Sequence, residues 1–180
     1  YYVMEYVKGT ALDNLLSRRP PTLDTILHLF IQVCEGLNHA HASGIVHRDL
    51  KPGNIIVEHS RDSPAADQNS RAVLVDFGLA ARPGEEAVDD EGMLMGTPAY
   101  MSPEQASGEP TGHLSDIYSL GVTLFEALTG RVPFTAPTPL AMALKHLTDE
   151  RPDPRSIVPM IPAPLAELTL RMMDREQSAR

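Results

Sequence analysis

A carboxylate, an ammonium group and a side-chain amide stand close together in segment 47–54, which has the sequence HRDLKPGN. Asp49 can orient a hydroxyl group and accept its proton. Lys51 can neutralise the charge of a phosphoryl group, and the side chains of Asn54 and Asp76 carry the hard oxygen atoms that Mg²⁺ prefers. These are the three requirements of phosphoryl transfer to a hydroxyl group.

Further motifs follow this segment in a fixed order. They are DFG at 76–78, GTP at 96–98 and SPE at 102–104. With segment 47–54 they resemble the phosphoryl-transfer half of a protein kinase. The sequence GTPAYMSPEQ at 96–105 is most similar to the bacterial eukaryotic-like (Hanks-type) serine/threonine kinases. The resemblance covers essentially the whole chain.

The resemblance also implies a fold and a domain organisation. We expect an α+β, protein-kinase-like fold, with a mainly helical C-terminal lobe, a few short strands and no N-terminal lobe. Residues 1–180 would form a partial kinase domain. Within it, residues 1–9 would be the hinge strand and linker, and residues 10–180 the C-terminal lobe. The catalytic loop would span 47–54 and the activation segment 76–104.

Roles for individual residues follow from the same resemblance. It implies ATP and Mg²⁺ as cofactors, with Asn54 and Asp76 holding the metal ions. Thr97 would lie beside the catalytic carboxylate and mark serine/threonine specificity. The residues expected to carry catalysis are Asp49, Lys51, Asn54, Asp76 and Thr97.

A second group of residues resembles the adenine site. Glu5 and Val7 match the hinge, where backbone groups bind the adenine edge. Ile56 matches the apolar residue beneath the adenine ring, and Met4 matches the residue that guards the pocket behind it. For Met4 and Ile56, a purely structural role in the core of a strand is compatible with the proposed roles. With Glu5, Val7 and Ile56, the nucleotide contacts would include Lys51, Asn54 and Asp76.

Other residues that resemble positions of the kinase family would support the site without touching the substrate. Asp116 resembles the aspartate that ties the catalytic loop to a long helix, and its carboxylate would need backbone N–H donors if buried. Glu104 and Arg180 resemble an ion pair that closes the activation segment against the lobe. His47 and Phe77 resemble part of the packed column of active kinases.

One part of the chain departs from the family pattern. Arg48 before the catalytic aspartate is typical of kinases that are switched by phosphorylation of the activation loop. Segment 79–95 contains no Ser, Thr or Tyr, and carries five acidic residues instead: Glu85, Glu86, Asp89, Asp90 and Glu91. One of these carboxylates could pair with Arg48. A merely solvated acidic loop explains the composition equally well.

The most economical interpretation is a serine/threonine protein kinase that transfers the γ-phosphoryl group of ATP to protein Ser or Thr hydroxyls. A Gly-rich loop, a strand lysine and its glutamate partner are not found in the chain. We therefore expect the 180-residue piece to be inactive alone. The alternatives are a pseudokinase scaffold and a protein-interaction module.

The amino-acid composition argues against some classes of binding partner and indicates the cellular compartment. A net charge of −9 and a pI of about 5.1 argue against nucleic acid binding, which needs a basic face. The single cysteine, Cys34, excludes an internal disulfide and fits a reducing compartment, and we read it as a buried apolar side chain. No run of about 20 apolar residues occurs, so no membrane span is expected in this piece. The kinase region would be cytoplasmic, with membrane attachment of the whole protein left open.

Sequence patterns also predict the elements that must position these residues. Segment 1–7 is read as a strand, and 55–57 and 73–75 as two more. A short helix should run from Leu12 to near Pro20, and Thr22 should cap a long one that stops at Gly44. Further helices are predicted at 114–128, 139–147 and 164–173, the first being the most buried.

Overall fold

The computed structural model describes residues 6–58, 66–77 and 97–180. The helices in these ranges are α1 (Leu12–Arg18), α2 (Leu23–Ala42), α3 (Pro103–Ala106), α4 (His113–Thr129), α5 (Pro139–Thr148) and α6 (Ala163–Met172). The strands are β1 (Thr10–Ala11), β2 (Ile55–Glu58) and β3 (Arg71–Leu74). This confirms the mainly helical α+β architecture with a few short strands. Within the same ranges, no helix is both long and apolar enough to cross a lipid bilayer.

Helix α2 begins and ends where the sequence predicts. The Thr22 hydroxyl oxygen accepts a hydrogen bond from the Thr25 backbone N–H at 3.3 Å, and Gly44 adopts a left-handed φ of 75° just beyond the end. The buried side chains follow helical spacing: Ile26, Leu29, Phe30, Val33, Leu37 and Ala40. Cys34 lies one position beyond this stripe and is exposed. The prediction that it is buried was wrong, because the stripe turns away from that position.

The strands form one antiparallel sheet in the order β1-β2-β3. Ile56 pairs with Ala11 on one side and with Val73 on the other. Gly9 packs against β2 so closely that a Cβ atom there would lie 2.5 Å from the Val57 carbonyl oxygen. The expected strand at 1–7 falls mostly outside the described residues, and its last two positions, 6 and 7, are not in a strand.

Helix α4 is the centre of the C-terminal half and, as predicted, is the most buried helix of the described chain. Phe125 and Val122 are fully buried, and Gly130 ends the helix with a φ of 75°. Gly121 lets α6 approach, since a Cβ atom there would lie 2.8 Å from the Met172 Cβ atom. The helix also supplies Asp116 to the candidate site from its first turn.

The close contact at Gly121 makes a stability prediction with an internal control. We expect Gly121→Ala to lower the free energy of unfolding by about 1–3 kcal/mol, because the added methyl group overpacks the α4–α6 contact. Gly36→Ala should instead raise it by about 0.5–1 kcal/mol, because Gly36 is exposed within α2 and an added Cβ atom would meet only Leu74 Cδ1, at 3.5 Å. Urea unfolding measures both. Equal effects would contradict the packing argument.

Candidate active site

Segment 47–54 is anchored by Asp116. This carboxylate is 1% exposed and accepts hydrogen bonds from the backbone N–H groups of His47 and Arg48, both at 2.8 Å. A third donor is His41, whose Nε2 lies 2.7 Å from Asp116 Oδ2. The expected tie between the loop backbone and the long helix is confirmed. His41 adds a contact that links the end of α2 to the same carboxylate.

Four of the five residues expected to be catalytic are joined by direct hydrogen bonds. Lys51 Nζ donates to Asp49 Oδ2 at 2.6 Å and to Thr97 Oγ1 at 2.8 Å. Asn54 Nδ2 donates to the Asp49 backbone carbonyl oxygen at 2.8 Å and to Asp49 Oδ2 at 3.1 Å. The carboxylate is thus held by two donors while its side chain stays 36% exposed. A partner at the surface can therefore reach it.

Asp76, the fifth residue, is connected to the loop through its neighbours. The Val75 N–H donates to the Asn54 carbonyl oxygen and the Val75 carbonyl oxygen accepts from His47 Nε2, each at 3.0 Å. Asp76 itself is exposed and has a φ of 59°, and Arg48 has a φ of 65°. Both non-glycine residues occupy the left-handed region, which is uncommon and concentrates at functional sites.

His47 joins these two segments as a neutral ring. Burial lowers its pKa by more than the neighbouring Asp116 charge and the Val75 carbonyl raise it. The neutral tautomer with its proton on Nε2 donates to the Val75 carbonyl oxygen, and Nδ1 then accepts from the Asp49 N–H at 3.4 Å. The ring also packs on Phe77 with 4.7 Å between centroids. The two rings are thus in contact, while their place in the packed column of active kinases stays a prediction.

A small open pocket lies directly beside Asp49. It is lined by Arg48, Asp49, Leu50, Thr97, Tyr100, Met101, Gln105 and Ser119. Tyr100 is held by its hydroxyl group, which donates to Glu126 Oε2 at 2.6 Å, and by its carbonyl oxygen, which accepts from Ser119 Oγ at 2.7 Å. Burial, more than the bond to Glu126, raises the pKa of Tyr100, so its phenol stays protonated. The pocket is small and opens to solvent next to the carboxylate.

The Glu104–Arg180 ion pair is present and buried. The guanidinium group donates from Nη1 to Oε1 at 2.6 Å and from Nη2 to Oε2 at 2.9 Å, and the two side chains are 0% and 2% exposed. Arg180 also lies over the Tyr118 ring, 4.9 Å from its centroid. A bidentate pair of this kind joins α3 to the chain segment after α6.

The residues expected around adenine are less fully placed. Ile56 lies half-buried on β2, on the face opposite to the buried Ile55 and Val57. Val7 is half-buried before β1. Glu5 and Met4 lie outside the described residues, as do the acidic residues of segment 85–91 proposed as partners of Arg48. Those predictions stay predictions.

The donor set fits a hard cation bound next to a phosphate chain. Both amide hydrogens of Asn54 are used by Asp49, so its Oδ1 is the oxygen left for a ligand. Asp76 offers a carboxylate from the segment bonded to the same asparagine. Among residues 6–58, 66–77 and 97–180, no group of three His, Cys, Asp or Glu side chains forms a metal cluster. Two protein ligands with the remainder from phosphates and water is a usual arrangement for Mg²⁺.

Sequence reasoning missed several residues that hold the site together. His41 had no predicted role, and its partner Asp116 is 75 positions away. Gln105 donates from Nε2 to the Arg48 carbonyl oxygen at 2.8 Å and accepts from the Ser102 N–H at 2.9 Å. The Ser-x-x-Gln spacing of a capping box was a readable signal for that second contact. The Tyr100–Glu126 bond left no signal in the spacing.

The anchor at Asp116 gives a second stability prediction. Asp116→Asn keeps the shape of the side chain, but it replaces a charged acceptor by an amide beside two N–H donors and His41. We expect the free energy of unfolding to fall by about 1.5–3 kcal/mol, the value of a hydrogen bond to a charged group. Urea unfolding measures it, with Glu167→Gln on the exposed face of α6 as the control. Equal stability of the two variants would contradict the anchoring role.

Comparison with known proteins agrees with this geometry. The family described as "Protein kinase domain" matches residues 1–180. The serine/threonine-protein kinase pkn3 of Myxococcus xanthus is 37% identical over 187 residues, covering 100% of this chain and 33% of that protein. PrkC of Bacillus subtilis is 36% identical over 172 residues, covering 95% of this chain and 25% of that protein.

PknA of Mycobacterium tuberculosis is 37% identical over 171 residues, covering 94% of this chain and 38% of that protein. The chain therefore spans between 25% and 38% of the length of these three relatives. These three relatives are bacterial serine/threonine-protein kinases, and with a family match along its entire length the chain belongs to the protein kinase domain family.

Proposed function

We propose that the complete protein containing this chain is a serine/threonine protein kinase that uses Mg²⁺ and ATP. The observation that carries the proposal is the bonding around Asp49. One carboxylate oxygen is bound by both Lys51 and Asn54, and Lys51 is bound in turn to Thr97. A carboxylate, a cation and an amide in mutual contact beside an open pocket are the parts needed to position a hydroxyl group for phosphoryl transfer.

Asp49 receives the protein hydroxyl group in the pocket beside it. Its two donors occupy Oδ2, so Oδ1 can accept the hydrogen bond of a serine or threonine hydroxyl group and take its proton late in transfer. Thr97 lies against the Lys51 ammonium group at the edge of this pocket. This arrangement favours an acceptor with a short side chain, as in serine and threonine.

Lys51 and the two oxygen ligands serve the opposite side of the reaction. When bound, ATP would supply the phosphoryl group and Mg²⁺ would neutralise part of its charge. Asn54 and Asp76 would hold the metal ion, and the Lys51 ammonium group would stabilise charge on the transferred group. Because positioning supplies most of this catalysis, the buried loop anchors described above are part of the machinery.

The nucleotide base would lie against the face of the three-stranded sheet that carries Ile56. We propose that hinge backbone groups at Glu5 and Val7 bind the adenine edge and that Ile56 lies beneath the ring. Residues 1–9 would then be the hinge and linker, and 10–180 the C-terminal lobe. The catalytic loop would span 47–54 and the activation segment 76–104.

The family also suggests the partners and the place of action. Substrates would be proteins that present Ser or Thr hydroxyl groups, and the net charge of −9 does not favour nucleic acid. A single cysteine among 180 residues suits a reducing cytoplasmic compartment for the kinase region. Any membrane attachment would come from other parts of the complete protein.

The proposal is tested by phosphate transfer. The complete protein is incubated with Mg²⁺, γ-labelled ATP and a general protein substrate, and the labelled amino acids are identified after hydrolysis. We expect phosphoserine and phosphothreonine, and loss of labelling when Mg²⁺ is chelated. Absence of transfer would instead support the pseudokinase or interaction-module alternatives, and labelling of tyrosine alone would contradict the proposed acceptor class.

A further inference from the structure

A buried histidine on α5 lies outside the machinery described so far. His146 is 1% exposed, and its Nδ1 atom lies 2.9 Å from the Tyr118 hydroxyl oxygen. Its ring packs edge-on against Phe134, with 5.0 Å between centroids, and against Tyr118, with 5.7 Å. Tyr118 in turn lies beneath the guanidinium group of Arg180. The histidine is therefore held between Tyr118 and Phe134.

The other ring nitrogen, Nε2, is the polar atom of His146 that no contact in the described part of the chain accounts for. Nε2 of His146 is buried and has no hydrogen-bond partner of good geometry among the described residues. Burial lowers the pKa of His146 to about 4, and the nearby carbonyl groups of Ala99 and Pro98 oppose that change. The ring is therefore neutral at physiological pH, and the carbonyl groups of Ala99 and Pro98 lie near it. Helix α5 packs on the 3₁₀ turn Pro98–Tyr100 that carries them.

The bond to Tyr118 decides which nitrogen carries the proton. Burial raises the pKa of Tyr118, so its hydroxyl group keeps a proton to donate. When Tyr118 donates to Nδ1, the single ring proton of His146 is on Nε2. This tautomer presents an N–H donor to the carbonyl groups of Pro98 and Ala99. The opposite tautomer would leave Nε2 as an acceptor facing acceptors.

The turn in front of His146 is part of the proposed acceptor site. It follows Thr97 directly, and Thr97 is bonded to Lys51. Tyr100, at its other end, lines the pocket beside Asp49. A protein substrate whose hydroxyl group reaches Asp49 must lay its neighbouring residues along this turn. The position of the turn therefore affects substrate binding more than nucleotide binding.

We propose that His146 is a positioning residue for the protein substrate. Its Nε2–H holds the Pro98–Tyr100 turn when it closes a hydrogen bond to the Pro98 or Ala99 carbonyl oxygen, and the Tyr118 hydroxyl group fixes the tautomer that makes this bond possible. A buried donor without a partner is unfavourable, so the turn is biased toward the position in which the bond closes. The inference rests on the proposed kinase function, because only a substrate at Asp49 gives the turn this role.

Two substitutions distinguish the role of Nε2 from that of Nδ1 in His146. His146→Gln places an amide N–H near the position of Nε2, and His146→Asn places a polar atom near Nδ1 only. We expect His146→Asn to raise the KM for a general protein substrate about 3- to 10-fold, the effect of losing one hydrogen bond, with little change in the KM for ATP. His146→Gln should stay within about twofold of the unsubstituted protein. Tyr118→Phe should resemble His146→Asn, because the tautomer is no longer fixed.

Hydrogen exchange supplies a readout that does not depend on activity. The backbone N–H groups of Tyr100 and Met101 donate within this turn, to the carbonyl oxygens of Thr97 and Pro98. In the complete protein, deuterium uptake of segment 97–101 should be faster in His146→Asn than in His146→Gln. Thr148→Ala, an exposed change on the same helix, is the control and should leave uptake unchanged.

The outcomes distinguish the inference from the function beneath it. A higher KM for the protein substrate and faster exchange in His146→Asn, both rescued in His146→Gln, support the positioning role. Equal behaviour of the two variants, whether both impaired or both unchanged, overturns it. If the unsubstituted protein transfers no phosphate, the proposed function fails. The exchange comparison then decides by itself whether His146 holds the turn.

Discussion

Replacement of Asp49 by asparagine in the complete protein is expected to reduce kcat for phosphate transfer about 100- to 10,000-fold, the usual contribution of a general base. Lys51 and Asn54 both donate to Asp49 Oδ2. An asparagine would direct its one carbonyl oxygen at these donors and its –NH₂ group at the pocket. The substrate hydroxyl group would then lose its proton acceptor while the loop kept its bonds.

Because Asp49→Asn removes the proton acceptor and keeps the hydrogen bonds of the loop, the expected effect is confined to the rate of phosphate transfer. The KM for ATP and the unfolding midpoint should change little, because neither the proposed metal ligands nor the anchors at Asp116 are altered. Asp24→Asn, an exposed aspartate at the start of α2, is the matched control and should retain full activity. Retention of more than a tenth of the activity in Asp49→Asn would exclude Asp49 as the proton acceptor. A large loss of stability would show that the residue is mainly structural.

The second large effect is expected at the buried pair of Glu104 and Arg180. Removing one member leaves a charge in a site where both side chains are almost completely buried. We expect Arg180→Met and Glu104→Gln each to lower the free energy of unfolding by about 3–5 kcal/mol. Arg71→Met is the matched control. Arg71 is 73% exposed in its pair with Glu58, so its loss should cost about 0–1 kcal/mol.

The pH dependence identifies the cause. Burial alone would raise the pKa of Glu104, but hydrogen bonds from Arg180, from its own backbone N–H and from Ser115 outweigh burial and hold the pKa below its ordinary value of 4.5. The unfolded state then binds the proton more tightly than the folded state. The stability from this group is present above pH 4.5 and is lost as the pH falls through the lowered value.

In Arg180→Met the sign should reverse. Burial is then the dominant influence on Glu104, its pKa rises above the unfolded value, and the folded state binds the proton more tightly. The variant should lose stability as the pH rises through that raised value. Urea unfolding between pH 3 and pH 8 would measure both slopes. Parallel curves for the unsubstituted protein and Arg180→Met would contradict a role for the Glu104 charge.

Local signals in the sequence predicted the longer elements well. The Thr22 cap, the end of the helix predicted at 114–128 and the apolar spacing of α2 and α4 are short-range features, and each was found within one or two residues of its expected place. The two-residue strand β1 was missed, because the first strand was predicted at 1–7 and not at Thr10–Ala11. Its close approach to β2 depends on a pairing partner more than 40 positions away. No local pattern encodes such a partner.

The candidate site also has one part that local sequence signals predicted and another part that they did not. Segment 47–54 was recognised because its motif is contiguous, and the contacts of Lys51 with Asp49 and Thr97 agree with the expected arrangement. The supports that hold it are distributed along the chain. His41 reaches Asp116 across 75 positions and Gln105 reaches Arg48 across 57. Such contacts appear only when the helices are packed, so a single sequence could not reveal them.

The left-handed backbone at Asp76 has a consequence for any attempt to stabilise this protein. A glycine would adopt the φ of 59° without steric cost, so Asp76→Gly would relax about 1 kcal/mol of strain. It would also delete the carboxylate proposed to hold Mg²⁺. A selection for thermal tolerance alone would therefore enrich inactive variants at this position, and an engineering programme would need a phosphate-transfer screen beside its stability screen.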